Sequence, residues 1–241
     1  MTPDLPRLYA TLDTTWPAAS TVAAGPWLLR EGGGGGKRVS CITAEDGWSP
    51  DDLQAAEQAQ RMMRQEPLFM IRAGETALDV ALESRGYDII DPVNLWACKI
   101  GLLTEKPPHR MSAFALWEPL AVMREIWAAG GIGPARVGVM ERAKGPKTAL
   151  FGRVSDKPAG AGYCAIYDGI AMVHALEVLE AHRGKGVGTA MMRRAAVWAE
   201  SKGARYMSLA CLTDNAAANG LYASLGMELV GQYHYRIKPG T

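Results

Sequence analysis

Residues 183–188, Arg183-Gly184-Lys185-Gly186-Val187-Gly188, sit between an apolar run and a long amphipathic run. No other stretch constrains the fold as tightly. The run before them, residues 171–178, is almost continuously apolar, as in a strand buried on both faces near the middle of a sheet. From Val187 onward, Met191, Met192, Ala195, Trp198 and Ala199 recur at helical spacing, and Lys202-Gly203 suits a helix C-terminus. Residues 206–211 read as the next strand, so the unit is βαβ with parallel strands. The first N–H groups of a helix have no partner inside it, and the helix dipole places about half a positive charge there. A turn built from Gly184, Gly186 and Gly188 lets an anion approach the backbone, and a diphosphate is the natural guest.

Spacing excludes two common phosphate motifs. The nucleotide P-loop fails because Leu179 stands where its first glycine is needed and Gly186 follows the lysine. The dinucleotide pattern Gly-x-Gly-x-x-Gly fails because Thr189 or Met191 occupies its last place. What fits is Arg-x-x-Gly-x-Gly. Downstream, Asn215, Ala218, Asn219 and Tyr222 fall on one face of a helix that Thr213 or Asp214 is expected to cap and Gly226 to end.

With both motifs in this order, and a strand between them, residues 112–238 resemble the GNAT superfamily of N-acetyltransferases. The resemblance implies an α/β (α+β) fold with a mixed central sheet flanked by helices, and acetyl-CoA as cosubstrate. It implies that Arg183, Gly184, Lys185, Gly186, Val187, Gly188 and Thr189 hold the diphosphate. Leu176 and Val178 then flank the pantetheine arm, with the Val178 N–H polarising the thioester carbonyl, and Asn215 faces the cofactor. Tyr222 matches the tyrosine that protonates the departing thiolate. A phenol of pKa about 10 beside a thiol of about 8.5 is a workable general acid.

The general base stays open between His174 and Glu177. Keeping an amine of pKa about 10 neutral at pH 7 costs roughly 4 kcal/mol, so a proton acceptor is required. Some members, such as aralkylamine acetyltransferases, carry a histidine at the position matching His174. Others carry a glutamate where this chain has Met172. In a regular strand His174, Leu176 and Val178 share one face and Glu177 lies on the other, unless a bulge re-aims it.

The 241 residues, 48% hydrophobic, suffice for a packed core, and a net charge of +1 gives no electrostatic case for nucleic acid or a membrane surface. Cys41, Cys98, Cys164 and Cys211 are scattered, with no metal-ligand spacing, as expected of buried thiols in a reducing, cytoplasmic setting. The first 20 residues lack the pattern of a signal peptide, and no apolar run reaches the ~18 residues a membrane span needs.

The first half predicts a helix around Leu5–Leu12 positions, strands at residues 27–30 and 39–42 joined across the mobile glycine tip 32–36, and a helix from Ser49-Pro50 to about Gln65. A strand at Leu68–Arg72, a helix at 76–85 and a strand at 93–100 follow. Residues 81–90 align with 221–230, placing Leu82 opposite Tyr222, and residues 43–48 stand where the glycine loop would be. The expected domains are thus a degenerate GNAT-like lobe at 1–103, a Pro-Pro linker at 104–110 and a catalytic lobe at 111–241. In the catalytic lobe Trp117 and Trp127 are pocket candidates. In the last strand Tyr233 and Tyr235 share one face, with His234 and Arg236 on the other.

The function this implies is acetyl transfer to a small-molecule or peptide amine by direct attack, with no acyl-cysteine. A coenzyme A-binding sensor whose first lobe holds a partner is the alternative. A homodimer is compatible with the sequence.

Overall fold

The computed structural model describes residues 2–239. In chain order the elements are α1 (Leu5–Thr15), β1 (Ser20–Ala24), β2 (Trp27–Glu31), β3 (Thr43–Ala44), α2 (Leu53–Met62), β4 (Leu68–Arg72), α3 (Thr76–Ser84), β5 (Asp88–Lys99) and α4 (Gly101–Thr104). Then come β6 (Ala113–Leu116), α5 (Ala121–Ala129), α6 (Pro134–Arg142), β7 (Lys147–Val154), β8 (Lys157–Tyr167), β9 (Ile170–Val178), α7 (Val187–Ser201), β10 (Tyr206–Leu212), α8 (Ala216–Ser224) and β11 (Glu228–Ile237). The architecture is the expected α/β one, a mixed sheet with flanking helices.

The chain packs as two units. Of the described residues the larger holds 2–17, 95–211 and 215–230, and the smaller holds 18–94, 212–214 and 231–239. α1 and the second half of β5 belong with the larger unit, and most of β11 with the smaller.

In the larger unit the strands run in the order β5-β10-β9-β8-β7-β6. β6, β7, β8 and β9 form an antiparallel meander. Its two tight turns are marked by left-handed Ser155-Asp156 and Asp168-Gly169, as two-residue hairpins require. β10 pairs parallel with β9, from Tyr206 opposite Ile170 to Leu209 opposite Val173. α7 buries Val187, Met191, Met192, Ala195, Ala196 and Ala199 against this sheet, where they join Leu150, Val173 and Leu209 in the main core. The helix begins where sequence periodicity places it because those positions fall on one stripe.

The smaller unit has a second core around Trp27, Leu29, Ile42, Leu53, Phe69, Leu78, Leu82 and Tyr87. Here the structure corrects the glycine segment. The hairpin partner of β2 is β1, paired from Ser20 opposite Glu31 to Ala24 opposite Trp27. Residues 32–36 are not its tip. They lead into a short 3-10 turn at Lys37–Val39, and the strand lies at Thr43–Ala44 rather than 39–42. Gly32 is fastened by its N–H to Gln65 Oε1 at 2.8 Å, and a Cβ there would lie 2.9 Å from that of Ser40. The Ser49 start is as expected. Asp52 Oδ2 accepts from both the Ser49 N–H and hydroxyl at 2.7 Å, and the helix proper begins at Leu53.

β4 pairs antiparallel with β11, from Leu68 opposite Ile237 to Arg72 opposite Tyr233. The face assignment of β11 holds. Tyr233 and Tyr235 make an edge-to-face pair at 5.6 Å, while His234 and Arg236 both reach Asp79. Arg236 is buried and donates to Asp79 Oδ1 at 2.7 Å and to the Tyr87 carbonyl at 2.8 Å.

Asp79 has opposing influences on its acidity. Burial raises its pKa, but hydrogen bonds from Arg236 and His234, with their charges, hold it below the usual carboxylate value. A depressed carboxylate contributes stability above its unfolded pKa of about 3.9, and that contribution is lost as pH falls through the folded value. Asp79→Asn should therefore lower unfolding free energy at pH 7 by about 1–3 kcal/mol, by leaving the Arg236 charge under-satisfied. The deficit should shrink at pH 3, which urea midpoints at the two pH values will show.

Candidate active site

Hydrogen bonding between β9 and β10 stops at Val173 and Leu209, although both strands run further. Beyond that point lies a cleft of about 680 Å³. Its walls include Leu176, Glu177, Val178, Arg183, Gly184, Gly186, Val187, Gly188, Thr189, Asn215 and Tyr222, together with His182, Ala217, Ala218, Gly220, Leu221 and Ser224. Of the residues expected at the site, these walls bring together all but His174 and Lys185. Lys185 turns its ammonium back to the Ala181 carbonyl at 2.9 Å.

The glycine turn is open for a definite reason. Gly184 and Gly186 have φ of +73° and +75°, in the left-handed region, and a Cβ on either would point into open space. The first backbone bond of α7 runs from the Ala190 N–H to the Gly186 carbonyl at 3.0 Å. The amides of Val187, Gly188 and Thr189 precede it, and no side chain caps this helix. Gly188 serves differently: a Cβ there would lie 2.9 Å from Leu221 Cδ2, so it sets how closely α7 approaches α8.

α8 contributes the opposite wall. Its N-cap is Asn215 itself rather than Thr213 or Asp214: Asn215 Oδ1 accepts from the Ala218 N–H at 3.1 Å. Asn219, on the same helix face, accepts from Trp96 Nε1 at 2.9 Å. Tyr222 is 6% exposed and packs 6.4 Å from the Trp96 ring. Burial, then the neighbouring Cys211 thiol, pushes its phenol well above the ordinary 10.0. Tyr222 therefore carries its proton throughout the neutral range.

β9 is not regular. Gly160 lies opposite Val178 and Ala161 opposite Glu177, but Tyr163 lies opposite His174, so β9 holds one residue more than β8 over this stretch. The extra residue is housed by Ala175, whose φ is +50°. Its carbonyl accepts from Trp127 Nε1 at 2.9 Å. One inserted residue reverses the alternation beyond it. The regular-strand assignment, with His174 beside Leu176 and Val178, is therefore wrong. Leu176 and Val178 pack with Val187 and Met191, the α7 side, whereas Glu177 lies against Gly130 at the end of α5.

His174 is 5% exposed, meets Thr15 Oγ1 at 2.8 Å and packs 5.1 Å from Trp16 and 6.0 Å from Tyr163. It is a hydrogen-bonded core histidine away from the cleft walls. Glu177 lines the cleft, and its Oε1 faces Arg183 at 3.4 Å. Trp127 is fully buried, and its role is to hold the bulge, not to line a pocket. Trp117 lies outside this cleft, under Lys147 with the ammonium 4.8 Å from its ring, and lines a separate hollow with Thr148 and Trp198.

The cysteines are free and buried. Burial, then Glu228, pushes Cys98 up to about 12, and burial raises Cys164 further. Both are therefore protonated, poor nucleophiles at neutral pH. Among the described residues no cluster suits a metal ion, and no helix is long and apolar enough to cross a membrane.

Comparison with known proteins agrees with this geometry. Residues 117–227 match the acetyltransferase (GNAT) family. A relative from Bacillus subtilis (strain 168), YobR, described as an uncharacterized N-acetyltransferase, is 28% identical over 246 residues, covering 98% of this chain and 99% of that protein. A GCN5-related N-acetyltransferase from Kribbella flavida shares the fold with a TM-score of 0.72 at 21% identity, over 98% of this chain and 95% of that one. A tandem GNAT protein from the clavulanic acid biosynthesis pathway superposes with a TM-score of 0.60 at 12% identity, over 93% and 85% of the two chains. These similarities support a GNAT-family acetyltransferase domain and an acyltransferase enzyme, and the parted strands, the start of α7 and Tyr222 all lie within the matched residues.

Proposed function

We propose that the protein transfers an acetyl group from acetyl-CoA to a primary amine, by direct attack within a ternary complex. The observation that carries this is the cleft where β9 and β10 part, bounded by an uncapped helix start on one side and Tyr222 on the other. The residues fit the cosubstrate. The left-handed glycines leave space where side chains would stand, and the free amides of Val187, Gly188 and Thr189, with the Arg183 guanidinium, suit a diphosphate. Leu176 and Val178, on strand no longer paired to β10, supply an edge for the pantetheine arm. Bound acetyl-CoA would supply the acetyl group as an activated thioester.

Three groups of the chain then do the work. The Val178 N–H is assigned to the carbonyl oxygen, where charge develops. Glu177 takes the proton that the attacking amine must shed, directly or through one water. Tyr222 O–H donates to the sulfur as the carbon–sulfur bond breaks and the carbon–nitrogen bond forms. Because the Tyr222 phenol is raised, the acid form persists as pH rises and is lost only above the ordinary range. Glu177 is preferred to His174 because it lines the cleft and the histidine does not.

The same reading extends to the first half of the chain. We infer that residues 1–103 derive from a GNAT-like lobe that kept its frame and lost its site, beside a linker at 104–110 and a catalytic lobe at 111–241. α3 ends as α8 does: the Tyr87 N–H meets the Leu82 carbonyl at 3.1 Å, and the Met227 N–H meets that of Tyr222 at 3.2 Å. The glycines between, Gly86 and Gly226, have φ of +80° and +76°. No glycine loop precedes α2, which opens on a serine capping box. Four buried free thiols suit a reducing, cytoplasmic setting.

Acetyl-CoA turnover with a panel of small amines and peptide N-termini tests the activity. Tyr222→Phe should lower kcat by about 100-fold while leaving coenzyme A affinity unchanged. The parent's alkaline limb should not appear below pH about 10 on account of this group. Tight coenzyme A binding with no turnover on any amine would favour a sensor instead. Gly186→Glu forces a side chain into left-handed backbone, costing about 1–2 kcal/mol, and sets a carboxylate at the anion site. It should weaken coenzyme A binding by about 10-fold or more, measured by calorimetry. His174→Gln should lower the melting temperature without changing that affinity.

A further inference from the structure

The two glycines that end α5 look interchangeable in sequence and are not. Gly131 has φ of +78°, and a Cβ on it would meet nothing within 4 Å. It is the left-handed residue that stops the helix. Gly130 has φ of −86° and ψ of 11°, backbone that any residue adopts. Its lack of a side chain needs another reason, and the neighbouring strand gives it. A Cβ on Gly130 would lie 2.6 Å from Glu177 Cδ, 2.7 Å from its Cγ and 2.7 Å from its Oε2. The Glu177 carboxylate occupies the volume that a side chain at 130 would take. One turn earlier, Trp127 donates to the Ala175 carbonyl at 2.9 Å and holds the left-handed residue that turns Glu177 to this face.

The geometry points to the C-terminal turn of α5 as the positioning element for Glu177: Trp127 fixes the bulge that aims the carboxylate, and Gly130 leaves the space that receives it. Neither residue is catalytic, since each acts through Glu177. The inference rests on Glu177 as proton acceptor for its consequence in turnover, but the placement itself stands apart from that role. The charged group facing Glu177 from its own side of the cleft is Arg183, whose guanidinium also donates to the Val178 carbonyl at 3.2 Å. A displaced carboxylate therefore loses that ion pair as well.

Crystal structures and steady-state kinetics of variants at Gly130, Gly131, Trp127 and Glu177 separate the possibilities. Gly130→Ala adds one methyl in permissive backbone, so it should fold with a parental melting temperature. Its Glu177 carboxylate should be swung away from α5, kcat should fall by about 100-fold and the acid limb of the pH profile should move, with coenzyme A affinity unchanged. Gly131→Ala should do the reverse, lowering the melting temperature while Glu177 and kcat stay as in the parent. Trp127→Phe removes the N–H donor, and Ala175 should leave its left-handed φ. In a Glu177→Ala background, Gly130→Ala should have no further effect on kcat. A Glu177 carboxylate found in its parental position in the Gly130→Ala crystal overturns the positioning claim whatever turnover does. Parental turnover in Glu177→Gln overturns the proton-acceptor reading alone.

Discussion

One extra residue in β9 governs the chemistry of the cleft. Ala175 adopts φ of +50° without the freedom of glycine, a conformation that costs an L-residue roughly 1–2 kcal/mol. The Trp127 N–H to its carbonyl is a part-buried hydrogen bond whose net contribution, about 1 kcal/mol, offsets much of that strain. The result is a strand whose two ends present opposite alternations. Before the bulge, His174 lies against α1. After it, Glu177 lies against α5, and Leu176 and Val178 lie with α7. The bulge also falls just beyond Val173, where pairing with β10 ends, so the re-aiming of the strand and the opening of the cleft share one cause.

The open start of α7 depends on the same strand by a shorter route. β9 is followed by a 3-10 turn at Glu180–His182, which delivers Arg183 and the left-handed glycines to the start of α7. A helix start normally recruits a side-chain oxygen for its free amides. Here Gly186 stands at that position and supplies none. The amides are left for an external acceptor, and Gly188 brings α8 close through Leu221, so that Tyr222 on that helix borders the same space. The glycine turn and Tyr222 are coupled mechanically, because one close contact sets the distance between the two helices that carry them.

Much of this was legible in the sequence because periodicity and glycine chemistry act locally. The strand, turn and helix around Arg183 and the α8 face ending at Gly226 follow from spacing alone. What was not legible is what a two-residue period conceals. Ala175 carries no mark of a left-handed conformation, so a regular reading puts His174 on the face of Leu176 and Val178, whereas Glu177, beyond the bulge, lies opposite them as expected. Trp127 looks like a pocket aromatic because its indole N–H partner lies 48 residues away in sequence. The glycines at 32–36 read as a hairpin tip because β1, short and exposed along nearly all its length, has no polar–apolar alternation to reveal it as the partner of β2. Gln65, which fastens Gly32, is likewise distant in sequence.

The repeated helix ending gives a separate argument about Tyr222. Leu82 and Tyr222 occupy the same place in α3 and α8: each is buried, and each presents its carbonyl to the N–H five residues on, past a left-handed glycine. Leu82 meets the packing requirement completely, at 0% exposure within a core of Phe69, Leu78 and Tyr87. A branched aliphatic side chain is therefore enough to close such a helix onto its sheet. The Tyr222 hydroxyl adds nothing that this packing asks for, and it brings a cost, since burying a phenol beside the Cys211 thiol disfavours its ionised form. That same cost keeps the proton on the oxygen at neutral pH. In α8 a core position that packing alone would satisfy carries a polar atom, on a residue that borders the cleft, and its surroundings keep that hydroxyl protonated.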